Sequence, residues 1–196
     1  MLVASGLLLL LGWSGGAGQA YDVAAIRAGA EWRLMHPRAT GAVILYTHLG
    51  SAVALLSMTA AGAIFLWWKR ERARAAALLG AVLGTRIGVE LLKLLVDRSR
   101  PSLDAHPVAV FSQSFPSGHA GNGMATFLAL ALFVAPERWR RPAVAMALVA
   151  ALAMGVTRPL LGVHWPSDVA GGWTFGATVV ALAAWWLRSR GNRSAA

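Results

Sequence analysis

Three short stretches of this sequence combine residue types that handle phosphate. The first, SFPSGHAGNG, runs from Ser114 to Gly123 and sets Pro116-Ser117-Gly118-His119 at the mouth of an apolar segment. Ser117 suits a helix N-cap, and Gly118 lets a ligand approach the backbone closely. The first amides of such a helix, at the positive end of its dipole, form an anion site with His119 beside it. A capped helix with a partly buried histidine has the same local sequence, so this run alone leaves both readings open. The second stretch, KLLVDRSRP, spans Lys93 to Pro101 and carries Lys93, Arg98 and Arg100. The third, TRPLLGVHWPSD, spans Thr157 to Asp168. Pro166 fits the first turn of a helix, which leaves His164 just outside and Asp168 about two positions further in. A carboxylate that bonds one imidazole nitrogen fixes the tautomer, frees the other nitrogen to attack, and stabilises charge on the ring. The plainer alternative is that Asp168 only improves the helix N-terminus.

The elements that must position these residues are apolar. Of 196 residues 57% are hydrophobic and 13% charged, more apolar and less charged than soluble domains. The apolar residues come in long blocks, and about 20 such residues suffice to cross a bilayer. The chain therefore reads as an all-α, polytopic membrane helical bundle. It forms a single domain over residues 1–196, with the motif-bearing core at about 40–190. A net charge of +10 would suggest nucleic acid in a soluble chain. Here the charge falls mostly in short loops between apolar blocks, so no nucleic-acid partner is expected. With no cysteine, disulfides and thiolate metal sites are excluded.

Six apolar segments are expected: Leu2 to about Ala17, Gly41 to Trp68, Ala73 to Val96, His119 to Ala135, Pro142 to Gly162, and Val169 to Leu187. The fourth is short for a span, so its ends must meet polar protein or water. The first reads either as a cleaved secretory signal or as a retained helix, and its lack of a basic n-region favours the helix. Residues 22–36 read as an interfacial helix or as an ordinary connecting one. Lys69, Arg70, Arg72 and Arg74, then Arg138, Arg140 and Arg141, then Arg188, Arg190 and Arg193 fall in loops on one side, which the positive-inside rule makes cytoplasmic. Trp67, Trp68, Trp139, Trp185 and Trp186 flank them as interfacial anchors.

All three chemical clusters then lie at the opposite, outer face. The positive-inside rule does not account for Lys93, Arg98, Arg100 and Arg158 there, whereas a phosphate site does. For Arg98, local pairing with Asp97 or Asp104 is an equal alternative.

Together these residues resemble the type-2 phosphatidic acid phosphatase family of membrane lipid phosphatases. Its three-part pattern, Lys-x6-Arg-Pro, Pro-Ser-Gly-His and Ser-Arg-x5-His-x3-Asp, is matched by Lys93 through Arg100-Pro101, Pro116 through His119, and Thr157-Arg158 through His164 and Asp168. The one departure is Thr157 for serine, which keeps the hydroxyl. The resemblance implies a metal-free, cofactor-free phosphatase acting through a phosphohistidine. In that scheme His164 is the nucleophile, Asp168 orients and charges it, and His119 protonates the leaving oxygen. Lys93, Arg100 and Arg158 clamp the phosphate with the Ser117 hydroxyl and the Gly118 amide. The substrate expected by resemblance is a lipid phosphate or diphosphate of a bacterial inner membrane, with undecaprenyl diphosphate preferred over phosphatidylglycerophosphate and phosphatidic acid. A lipid phosphotransferase would use the same residues. A transporter with a phosphate vestibule is the alternative of another class; the spans exclude a soluble haloperoxidase.

Among the remaining polar residues, Arg86 and Glu90 are expected to form an ion pair within the third span. His48 is expected to be a hydrogen-bonded structural histidine, and His36 and His106 loop residues. Gly155, Gly162, Gly171, Gly172 and Gly176 are expected to permit close helix packing.

Overall fold

The computed structural model describes residues 17–103 and 106–193 and is helical, with no strand among the described residues. The first expected segment lies almost wholly outside them. Seven α-helices follow: α1 (Ala17–Met35), α2 (Pro37–Thr47), α3 (Ala52–Trp68), α4 (Arg72–Val96), α5 (Gly118–Phe133), α6 (Glu137–Leu160) and α7 (Pro166–Arg193).

Three of these, α4, α6 and α7, are long and apolar enough to cross a membrane, and α2 with α3 makes a fourth if the bent pair is one span. Six spans are therefore not what the described residues display. The second expected segment is broken by a 3₁₀ turn at His48–Gly50, and its halves meet at 49°. Ser51 restarts the helix as an N-cap, accepting from the Ala54 amide at 3.3 Å. The fifth segment begins earlier than expected, at Glu137, with Pro142 inside the helix, and the sixth runs on to Arg193.

The 16-residue α5 is short because it is the centre of the bundle. It packs against α4, α6 and α7, with α3 alongside, and buries residues on every side from Ala120 to Phe133. A helix apolar all round belongs inside a protein. Gly172 and Gly176 make the contact of α7 with α5 possible: a Cβ at Gly176 would stand 2.3 Å from the Gly121 carbonyl oxygen, and one at Gly172 would stand 2.6 Å from that of Ser117. Gly155 and Gly171 make room for the rings of Trp173 and Phe115. Gly162 differs from the expectation. It turns the chain after α6 at φ 73°, a conformation open mainly to glycine, and faces Arg33 of α1, 3.6 Å from where a Cβ would stand.

One end of the bundle is basic. Arg74, Arg140 and Arg188, from the end turns of α4, α6 and α7, line one hollow there. Cations of this end sit over tryptophan rings, Arg72 on Trp67, Lys69 on Trp68 and Arg190 on Trp186. Leu94, Leu95, Ile87 and Val149 remain exposed on helix flanks, as lipid-facing residues do. The three chemical clusters occupy the other ends of the same helices. The chain is an integral membrane protein.

Candidate active site

Each catalytic-type side chain is set at a helix end. Asp97 stops α4 by adopting a left-handed conformation, φ 46°, with its amide bonded to the Lys93 carbonyl. That turn leaves Lys93 in the last helical turn and carries Arg98 and Arg100 across the top of the bundle. Lys93 is buried, and Nζ donates to Ser112 Oγ at 3.0 Å. Nζ also pairs with Glu90 at 3.4 Å. The expected Arg86–Glu90 pair is not formed: Glu90 turns toward the outer end and neutralises Lys93. Both spacings, i+3 and i−4, are within reach on a helix.

Arg100 is fastened on several sides. Nε donates to Ser112 O at 2.6 Å, and Nη1 to Val163 O at 2.6 Å. Nη1 also lies 3.0 Å from Nε2 of His164. A guanidinium only donates, so Nε2 must be the acceptor and the ring proton must reside on Nδ1. Nδ1 faces Asp168 Oδ2 at 3.4 Å, with the buried hydroxyl of Ser114 at the same distance. Burial, aided by Arg100 and Arg158, pushes the His164 pKa down to about 4 against the upward pull of Asp168. The imidazole is therefore neutral at pH 7. Burial also lowers the Arg100 pKa, partly offset by Asp168.

Asp168 is fully buried and multiply bonded. Oδ2 accepts from the Trp165 amide at 2.9 Å and from the Ser114 hydroxyl, while Oδ1 accepts from Arg98 at 2.5 Å. The two sequence readings of Asp168 are thus compatible: one carboxylate braces the start of α7 and faces the imidazole. Its backbone carbonyl accepts from the Ser117 amide at 2.9 Å, which ties the Pro-Ser-Gly-His run to α7.

Ser117 precedes α5 as expected, but its hydroxyl does not cap the helix. Ser117 Oγ is buried with no hydrogen-bond partner among the described residues, as is Nε of Arg158. Gly118 follows beside Lys93; a Cβ at 118 would stand 3.7 Å from Nζ. His119 lies within the electrostatic reach of His164, Arg158 and Lys93, and its ring faces the backbone of Thr47. Gly50 gives that ring its room, since a Cβ there would fall 2.6 Å from Cδ2. Arg158 Nη1 donates to Thr47 Oγ1 at 2.8 Å, and Thr157 Oγ1 lies 3.0 Å from the same atom.

Every residue singled out from the three motifs therefore meets at one end of the bundle. Four participants escaped the sequence reading: Asp22, Thr47, Ser112 and Ser114. Thr47 had a usable signal, because a polar residue inside an apolar block next to His-Leu-Gly-Ser marks a broken span. For Arg98 a phosphate site and local pairing were equal alternatives. It reaches instead to Asp22 at 2.9 Å and to Asp168. His48 is hydrogen-bonded, with Nδ1 2.6 Å from the Ile44 carbonyl.

A buried imidazole held by a carboxylate, faced by cations and a helix N-terminus, defines a phosphoryl-transfer type of site. The model of the PAP2 superfamily matches residues 74–192, more than half of the chain. The chain belongs to that superfamily. It is 37% identical over 140 residues to decaprenylphosphoryl-5-phosphoribose phosphatase of Mycobacterium tuberculosis, covering 69% of this chain and 73% of the relative. Over 137 residues it is 33% identical to phosphatidylglycerophosphatase B of Bacillus subtilis, covering 66% of each. The crystal structure of a transmembrane PAP2-type phosphatidylglycerolphosphate phosphatase from Bacillus subtilis superposes with a TM-score of 0.88 at 26% identity, covering 95% of this chain and 94% of the other. These relatives are phosphatases of lipid phosphates.

Proposed function

We propose that this chain is a lipid phosphatase that hydrolyses a phosphate or diphosphate of a membrane lipid through a phosphohistidine. The observation that carries the reading is the pair of orphaned donors, Ser117 Oγ and Arg158 Nε, buried beside the neutral imidazole of His164. Buried polar atoms are seldom left unpaired, and a tetrahedral anion supplies acceptors to both at once.

The chemistry follows from the hydrogen bonds. Nε2 of His164 carries the free lone pair once Arg100 turns from it to a phosphate oxygen. It attacks phosphorus, and the bond from phosphorus to the lipid oxygen breaks. His119 gives its proton to that oxygen, the negative phosphate having first favoured the protonated ring. Asp168 stabilises the positive charge that His164 acquires. Water then attacks the phosphohistidine, passes a proton to His119, and releases inorganic phosphate. Lys93, Arg100, Arg158 and the Gly118 amide hold the equatorial oxygens throughout. The three cations provide the charge, so the reading is metal-independent.

The site lies opposite the basic end of the bundle. By the positive-inside rule this faces the outside of a bacterial inner membrane. Undecaprenyl diphosphate is the preferred substrate. The polyprenyl group in the Mycobacterium tuberculosis relative's name supports a long isoprenoid tail. The test is phosphate release by purified protein from lipid mono- and diphosphates in excess EDTA. Activity should disappear in His164→Ala, and vanadate should inhibit. Full activity in His164→Ala overturns the mechanism. Radiolabel appearing on a second lipid, with none released as phosphate, would identify a phosphotransferase instead.

A further inference from the structure

Asp22 belongs to none of the three motifs and lies outside the stretch matched by the family model. It is nevertheless fully buried, on a helix whose other faces carry exposed Tyr21 and Leu34. A buried carboxylate is costly unless paired and hydrogen-bonded, and Asp22 is both. Oδ2 accepts from Arg98 Nη2 at 2.9 Å and from Ser167 Oγ at 2.5 Å, and Oδ1 accepts from the Ser167 amide at 3.1 Å. Ser167 opens α7 one residue before Asp168. The guanidinium of Arg98 is shared: Nη1 donates to Ser167 Oγ at 2.7 Å and to Asp168 Oδ1 at 2.5 Å. One cation thus stands between two buried carboxylates, and the second faces His164.

We infer that Asp22 is a positioning residue for the reaction: through Arg98 it sets how much negative charge Asp168 presents to His164. The inference rests on the reading of His164 as nucleophile. Arg98 alone would neutralise Asp168 and weaken its support of a charged imidazole. Asp22 takes up half of that cation's pairing capacity, so the triad of Asp22, Arg98 and Asp168 keeps a net negative charge. The same bonds hold α1 across the start of α7, which fixes the direction of the Asp168 side chain.

The other groups facing this assembly do not replace Asp22. Around His164 stand Arg100, Arg158 and His119, none of them anionic. Ser114 donates to Asp168 and is neutral. Trp165 covers the outer face of Arg98, ring centroid 5.5 Å from the guanidinium carbon.

The test uses Asp22→Asn, which preserves shape and removes charge. The His164 ring is followed by 15N-histidine NMR of the full chain in detergent, assigned with His164→Gln. Kinetics with dioctanoyl phosphatidic acid run in parallel. The imidazole should titrate at lower pH in Asp22→Asn than in the parent. Turnover should fall about tenfold, the scale seen for partners that orient metal-binding histidines, with KM within about twofold. In an Arg98→Gln background the further Asp22→Asn change should leave the titration where it was. An unshifted titration in Asp22→Asn overturns the inference, whatever happens to activity. An equal shift with and without Arg98 also overturns it, because Asp22 would then act directly. Because the NMR midpoint needs no turnover, an inactive parent protein would count against the phosphatase reading alone.

Discussion

Arg100 holds Nη1 3.0 Å from Nε2 of His164, so the nitrogen proposed to attack phosphorus is engaged by a residue proposed to bind the phosphate. The same guanidinium is bonded to the carbonyls of Val163 and Ser112. A phosphate oxygen competes for these donors, and when it wins, the lone pair of Nε2 is released toward phosphorus. The two functions are coupled through one planar group. Lysine offers neither the fork nor the reach to serve both. Arg100→Lys should lower kcat/KM by about 10²- to 10³-fold, the scale for losing a transition-state donor, with an unchanged melting profile. A loss below about fivefold in a phosphate-release assay would remove Arg100 from the chemistry.

The burial of His164 has a signed consequence for pH. Its folded pKa, about 4, lies below the ordinary histidine value of 6.5. Between these values the unfolded chain binds a proton that the folded one refuses, so stability falls as pH drops from about 6.5 through about 4 and is flat above. The proposed nucleophile is neutral over the same neutral range. The acidic limb of kcat/KM should therefore lie well below pH 6, and His164→Gln should lose less thermal stability than the parent between pH 7 and pH 4.5. Equal losses in the two proteins would show that another group carries the acid sensitivity.

Ser114 is two residues from the Pro-Ser-Gly-His run and fully buried. Its amide donates to the Arg98 carbonyl at 2.8 Å, and its hydroxyl donates to Asp168. Ser114→Ala removes that donor from a buried carboxylate, which costs about 1–3 kcal/mol. Turnover should drop with it, since Oδ2 is then held toward Nδ1 by the Trp165 amide alone. Stability in detergent and initial rates measure the two effects separately. Unchanged values of both would make the bond incidental.

What was legible in the sequence was the chemistry and not the connections. Lys93, Arg100, His119, Arg158 and His164 stood out because cations and histidines are out of place in apolar segments, and Ser117 and Asp168 because they suit the start of a helix. The shared side of the arginine clusters was legible for the same reason, and Arg74, Arg140 and Arg188 do meet at one end. Asp22 was not, because its partner Ser167 is 145 residues away and nothing local requires an aspartate at that position. The partner of Glu90 was misread because helix geometry offers two neighbours of like charge. The break at His48–Gly50 was hidden by the continuous apolar run around it, although Gly50 and Ser51 are a breaker and an N-cap in the right order.

The crossing of α5 and α7 is set by glycine. A Cβ at Gly176 would fall 2.3 Å from the Gly121 carbonyl, on backbone that cannot yield without moving the helix. Gly176→Ala should cost about 1–3 kcal/mol by overpacking and lower the apparent melting temperature by several degrees. Gly80, where a Cβ meets nothing within 4 Å, is the control and should tolerate alanine.

Thr47 closes the wall of the site from the bend between α2 and α3. Its hydroxyl accepts from Arg158 at 2.8 Å and shares a hydrogen bond with Thr157, and its backbone meets the ring of His119. Two residues assigned to opposite tasks, a phosphate clamp and a proton donor, are thus indexed to one threonine. The backbone contact survives substitution, whereas the hydroxyl does not, so the two tasks can be separated. Thr47→Val keeps the shape and leaves Arg158 Nη1 without this partner while Nε is already unpaired among the described residues. The guanidinium then swings more freely, and phosphate binding should suffer before proton transfer does. KM should rise about 3- to 10-fold, the cost of roughly 1 kcal/mol of lost positioning, with kcat within about threefold. Thr47→Ser, which restores the hydroxyl, should return KM toward the parent value. If instead kcat falls and KM stays, the bend acts through His119, and the Thr47 hydroxyl does not steady the clamp.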